Sequence, residues 1–127
     1  MIDVSATVLV VEDEALVRLS ITEDLRDAGF VVCEARDADD ALQKLQLHDQ
    51  IRVIFTDIQM PGSMDGLRLA ATVRNKWPQM GIIVTSGNLK PSPDTFPEGG
   101  LFIPKPYASE TVTNAIQGIF AQLNLAI

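Results

Sequence analysis

Three acidic residues follow two short apolar runs, and the pattern points to cation chemistry. Val53-Ile54-Phe55-Thr56 leads into Asp57, and Ile58-Gln59-Met60-Pro61-Gly62 comes after it. Val8-Leu9-Val10-Val11 leads into Glu12 and Asp13. A short continuous apolar run bounded by turn signals reads as a buried parallel strand. Asp57 then stands at the carboxyl end of a strand, the edge where open α/β sheets bind their ligands. Three carboxylates brought to one edge demand a cation, because like charges held close together disfavour ionisation.

The elements that must deliver these residues alternate along the chain. Thr7 to Val11 reads as the first strand, and a helix follows from about Glu14 to Ala28. Val17, Ile21, Leu25 and Ala28 give that helix an apolar face at helical spacing, and Gly29 ends it. Phe30 to Ala35 is a second strand, with Cys33 placed in the core. Asp37 can cap a helix running to about His48, with Ala38, Ala41, Leu42 and Leu45 inward. Val53 to Thr56 is the third strand, and a helix from about Asp65 to Trp77 turns Ala70, Val73 and Trp77 inward before Pro78 stops it. Ile82 to Thr85 is the fourth strand, followed by Ser86-Gly87-Asn88. Leu89 to Gly100 holds Pro91, Pro93, Pro97 and a glycine pair where the alternation asks for a helix. An interior proline costs a helix ~3 kcal/mol, so at most one helical turn is expected there. Leu101 to Ile103 is a fifth strand. Ser109 is placed as the cap of a last helix to about Leu123, lined by Val112, Ala115, Ile116, Ile119 and Leu123. Five strands alternating with helices give a three-layer α/β sandwich with a parallel sheet and a short or degenerate fourth helix.

Bulk properties narrow the function. The chain has 127 residues, 46% hydrophobic and 21% charged, which is globular rather than disordered. The expectation is a single domain over residues 1–127, with its core at about 7–123 and no output domain. A net charge of −7 argues against nucleic acid or an anionic membrane as direct partner. Cys33 is the one cysteine, so no internal disulfide can form, which fits a reducing cytoplasm. Met1 to Ser5 does not read as a signal peptide, and no apolar run is long enough to span a bilayer.

The chain resembles the receiver domain of two-component response regulators. The marks are Val11-Glu12-Asp13-Glu14, Asp57-Ile58-Gln59-Met60-Pro61, Asp65-Gly66, Thr85-Ser86-Gly87 and Lys105-Pro106. They occur in the family's order, at near-family spacing, at the carboxyl ends of strands one, three, four and five. The resemblance implies a flavodoxin-like sheet in the order 2-1-3-4-5, and it covers the chain from about Thr7 to Leu123.

Asp13 and Asp57 are hard oxygen ligands, and a small site of carboxylates and water suits Mg²⁺. The resemblance adds the main-chain carbonyl of Gln59 as a third ligand and has Glu12 hold metal-bound water. Asp57 is the expected phosphoacceptor, since a carboxylate can attack phosphorus to give an aspartyl phosphate. Three carboxylates against one divalent cation and one lysine balance in charge. The family pattern has Lys105 reach the phosphoryl group, through a peptide bond to Pro106 that is typically cis. Ser86 takes the place of the switch hydroxyl, with Thr85 beside it as the residue it could be mistaken for. Phe102 takes the place of the switch aromatic and carries no hydroxyl. Each residue also has a plainer use: Asp13 as a helix N-terminal acid, Asp57 as a strand-end cap, Lys105 as a solvated loop lysine, Ser86 as a strand-end hydroxyl, Phe102 as core.

The resemblance implies a histidine kinase or phosphotransfer protein as donor, with output by binding an unnamed protein downstream or as a phosphate sink or relay. Monomer and weak homodimer both stay open. The alternative function is a Mg²⁺-dependent phosphohydrolase passing through the same aspartyl phosphate. Such enzymes usually carry a second acid two residues past the nucleophile, and here that position is Gln59. A receiver-shaped module that is never phosphorylated would show an eroded acid set, and this set is whole. Two departures from the family stand out. The turn Pro61-Gly62-Ser63-Met64-Asp65 is one residue longer than the usual form, and the proline-rich Leu89 to Gly100 replaces the usual fourth helix.

Overall fold

The computed structural model describes residues 6–88 and 90–123. Met1 to Ser5, read above for a signal peptide, and Leu89, first of the proline-rich stretch, lie outside the described residues. The chain runs β1 (Thr7–Val11), α1 (Ala15–Asp27), β2 (Val31–Ala35), α2 (Ala38–Leu47), β3 (Ile51–Asp57), α3 (Gly66–Lys76), β4 (Gly81–Ser86), β5 (Leu101–Pro104) and α4 (Ser109–Gln122). The strands form one sheet in the order β2-β1-β3-β4-β5, with every neighbouring pair parallel. The three-layer α/β reading and the strand order of the resemblance both hold.

Alternation along the strands builds two cores, one on each face of the sheet. Leu9, Val11, Ile54, Ile82 and Val84 pack with Ala38, Ala41 and Leu45 of α2 and Leu69, Ala70 and Val73 of α3. Val8, Val10, Val53, Phe55, Ile83 and Ile103 pack with Ile21 and Leu25 of α1 and Val112, Ile116 and Phe120 of α4. The inner strands are buried on both faces, which is why their sequences read as unbroken apolar runs.

Local chemistry sets the element ends. Gly29 adopts φ 100° after α1, and its N–H reaches Arg26 O at 2.9 Å while Phe30 N–H reaches Leu25 O at 3.1 Å. This pair of hydrogen bonds closes the helix end, and glycine takes the left-handed conformation without a Cβ penalty. Asp37 caps α2 by accepting from Asp40 N–H at 2.8 Å. Four expectations need correction. Ala28 is exposed, and Thr22 fills the inner face of α1, its hydroxyl turned onto Leu19 O at 3.0 Å. Ser109 is the first residue of α4; Ala108 holds the cap position without a side-chain bond. Phe120, rather than Leu123, anchors the inner end of α4, edge-to-face against Phe30 at 5.7 Å. Cys33 is half-buried, packed at the margin of the α2/α3 core.

No helix occurs among the described residues between β4 and β5. Short turns replace it, closed by Thr95 N–H to Ser92 O and Gly100 N–H to Pro97 O, both 3.1 Å. Phe96 packs against the α2/α3 core from this segment. Arg74 of α3 ties it down, with Nε on Glu98 O at 2.9 Å and Nη1 on Pro78 O at 2.9 Å and Met80 O at 2.8 Å.

Candidate functional site

The sheet delivers the acids by a simple count. Glu12, Asp57 and Lys105 each lie two residues beyond a residue of the α1/α4 core, namely Val10, Phe55 and Ile103. Side chains two apart share a face, so all three arrive on the same side of the same sheet edge. Glu12 and Asp57 are buried, at 5% and 6% exposure, and Asp13 is exposed beside them. One carboxylate oxygen from each of Glu12, Asp13 and Asp57 lies within 4.8 Å of the others. Lys105 Nζ stands 3.0 Å from Asp57 Oδ2 and 3.2 Å from Glu12 Oε1. The Lys105–Pro106 peptide is cis.

The loops fix these groups in place. Glu14 N–H donates to Glu12 Oε2 at 3.1 Å, and Gln59 N–H donates to Asp57 Oδ1 at 3.3 Å. Asp65 caps α3 by accepting from Arg68 N–H at 2.9 Å. Gly66 N–H reaches Ile58 O at 2.8 Å, and a Cβ at Gly66 would stand 1.9 Å from the main-chain oxygen of Asp57. The glycine therefore lets α3 start directly behind the acid. The longer turn before it closes on α2, where Ser63 Oγ donates to Asp39 Oδ1 at 2.7 Å.

Electrostatics follow from crowding and burial. Burial pushes the Glu12 carboxyl above its ordinary range and the Asp57 charge adds to this; Glu14 N–H and Lys105 offset only part of it. Burial works against the charge on Lys105, but the hydrogen bond to Asp57 and the charges of Glu12 and Asp57 outweigh it and hold its pKa up. The oxygen donors are the three carboxylates, which suit a hard divalent cation such as Mg²⁺.

Ser86 is buried at the end of β4, and its hydroxyl lies 3.2 Å from Gln59 Oε1 while accepting from Asn88 N–H at 3.3 Å. Thr85 shares the parity of Ile83 and has Asp57 as its register neighbour on β3. Its buried hydroxyl has no hydrogen-bond partner among the described residues. Phe102 is half-buried on the α2/α3 side, with Val84 as its register neighbour on β4. A recess of about 490 Å³ lined by Leu45, Ile51, Trp77 and Met80 opens near the amino ends of β3 and β4, away from the acids.

Two features escaped the sequence. Arg18 Nη1 donates to Glu12 O at 2.7 Å and its Nε pairs with Glu34 Oε1 at 3.2 Å, clamping the acidic turn to α1 and β2. Its position one turn into α1, four residues after Glu14, was the available signal. The Gln59 side chain on Ser86 had no signal, because the two residues lie 27 apart in the chain.

A family model described as the response regulator receiver domain matches residues 8–117. The chain is 32% identical over 120 residues to the sensor kinase CckA of Brucella abortus, covering 89% of this chain and 12% of CckA. It is 30% identical over 113 residues to the transcriptional regulatory protein PdtaR of Mycobacterium tuberculosis, covering 87% of this chain and 54% of PdtaR. The crystal structure of a response regulator receiver protein from Sinorhizobium medicae is similar at a TM-score of 0.80 and 27% identity, covering 92% of this chain and 95% of that one. The chain spans about half the length of PdtaR and a much smaller part of CckA.

Proposed function

The chain belongs to the response regulator receiver domain family, and from that premise we propose that Asp57 accepts a phosphoryl group from a phosphohistidine. Receiver domains act in two-component signalling, with histidine kinases or phosphotransfer proteins as partners. The observation that carries the reading is the buried Asp57 carboxylate, held 3.0 Å from Lys105 and beside two further acids. An Asp57 carboxylate oxygen attacks phosphorus, the phosphorus–nitrogen bond of the donor breaks, and the departing imidazole takes up a proton. Lys105 faces the charge carried by the transferring group, in a reaction that depends on positioning and charge stabilisation. Glu12, Asp13 and Asp57 would hold Mg²⁺ together with the main-chain carbonyl of Gln59, Glu12 acting through water. The ion when bound supplies further neutralisation of phosphoryl oxygens. Ser86 is the hydroxyl that answers the new group, Phe102 the aromatic that repacks, and Pro106 fixes the backbone behind Lys105.

Output is binding to another protein, by a shift of population between two states of Ser86, Phe102 and the loop after β4. A cytoplasmic setting goes with this reading. Among the described residues no helix is long and apolar enough to cross a membrane. A phosphohydrolase is not favoured, since Gln59 stands where the second acid would be.

The test is incubation with Mg²⁺ and acetyl phosphate, followed by intact-mass measurement. One phosphate is gained by the natural chain and none by Asp57→Asn. A gain that survives this substitution overturns the assignment.

A further inference from the structure

We propose that the Gln59 side chain is a brake on the Ser86 hydroxyl, holding in the resting state the one proton that this hydroxyl can donate. The inference rests on the reading of Asp57 and Ser86 given above and names a residue that sets how easily Ser86 responds.

The geometry is specific. Ser86 Oγ donates to Gln59 Oε1 at 3.2 Å. Its acceptor side is met by Asn88 N–H at 3.3 Å, and the Ser86 main-chain carbonyl is fixed by Lys105 N–H at 3.0 Å. A serine hydroxyl has one donor proton and two acceptor lone pairs. A phosphoryl oxygen on Asp57 offers only acceptor sites, so it can bind Ser86 only through that proton. Gln59 Oε1 and the phosphoryl oxygen therefore compete for the same hydrogen. The same residue touches the acceptor directly, since Gln59 N–H lies on Asp57 Oδ1 at 3.3 Å. One residue spans the acid that is charged and the hydroxyl that must move.

Exchange is one hydrogen bond for another. The Ser86 O–H···Oε1 bond breaks, the exposed Gln59 amide passes to water, and a Ser86 O–H bond to the phosphoryl oxygen forms. The brake therefore lowers the population of the competent hydroxyl by the worth of one neutral hydrogen bond, roughly a factor of 2 to 10. Gln59→Met keeps the length of the side chain and removes the acceptor. It leaves in place the main-chain carbonyl assigned to the metal.

The probe is beryllofluoride, a tetrahedral stand-in for a phosphoryl group on a carboxylate. Its affinity is measured by calorimetry at saturating Mg²⁺, with ¹⁹F NMR confirming the adduct. Four proteins complete a cycle: the natural chain, Gln59→Met, Ser86→Ala, and the double variant. Gln59→Met should tighten beryllofluoride roughly 2- to 10-fold. In the Ser86→Ala background the same change should do nothing, because no donor remains to be released. Unchanged or weaker binding by Gln59→Met overturns the brake, as does an equal gain with and without the Ser86 hydroxyl. A natural chain that takes up no beryllofluoride at all overturns the reading of Asp57, and the brake falls with it; the two failures are thus told apart.

Discussion

Lys105 is one cation shared by two acids, and that sharing makes opposite effects separable. Its ammonium lies 3.0 Å from Asp57 and 3.2 Å from Glu12, so it competes with any divalent ion for the same oxygens. Lys105→Ala leaves Glu12 and Asp57 without their shared cation, beside the third carboxylate of Asp13. Mg²⁺ should then bind roughly 3- to 10-fold tighter, as expected when one partly solvated positive charge leaves the neighbourhood of a divalent ion. Phosphate uptake from acetyl phosphate should slow by at least about tenfold, because a preorganised charge facing the phosphoryl group is gone. Metal titration and the rate of mass gain measure the two effects separately, and movement of both in the same direction would contradict the shared-cation picture. At this scale the acids and Lys105 were legible in the sequence. Each follows an apolar run, and the strand ends of a parallel sheet converge. What could not be read is which partner a long side chain chooses. Arg18 bridging to Glu34 and Gln59 reaching Ser86 depend on spatial neighbours set by the sheet order.

At the scale of elements, two glycines should respond to alanine in opposite directions. Gly118 lies within α4, is exposed, and a Cβ there would meet nothing within 4 Å. Gly118→Ala should stabilise the fold by about 1 kcal/mol, the helix-propensity difference, read as a higher urea midpoint with unchanged slope. Gly66 opens α3, and its added Cβ would stand 1.9 Å from the Asp57 main-chain oxygen. Gly66→Ala should cost about 3 kcal/mol or more, because backbone must shift to relieve the overlap. The existence and order of the elements were readable because each apolar stripe had one clear period. Their inner faces were less so. Periodicity alone could not choose between Ala28 and Thr22 on α1, or between Leu123 and Phe120 on α4. A threonine that satisfies its hydroxyl on its own helix, through Leu19 O, can be buried as readily as an alanine. The prolines correctly forbade a helix after β4, but they did not reveal that Arg74 would fasten the replacement segment through Glu98 O.

For the whole molecule, the fold itself creates a charge problem that a bound divalent cation would relieve. Two cores pin all five strands in one parallel sheet, so the acid-bearing ends cannot splay apart without exposing apolar surface. The net charge of −7 makes the corner worse, since no surplus of basic residues offsets it. A ligand that binds only the folded state raises its stability by mass action. At Mg²⁺ ten times its dissociation constant the gain is about 1.4 kcal/mol. For a domain of this size that is a rise of roughly 4 to 6 °C in Tm. Sodium chloride at matched ionic strength screens the same surface charges without filling the acidic corner, and it should give a clearly smaller shift. Asp13→Asn removes one exposed carboxylate of the three and leaves both Lys105 ion pairs in place, so its fold should persist while its Mg²⁺ response shrinks. Thermal denaturation of the two proteins in each salt decides the matter. Equal shifts from Mg²⁺ and from sodium chloride would mean that general screening, rather than a metal at Glu12, Asp13 and Asp57, relieves the repulsion.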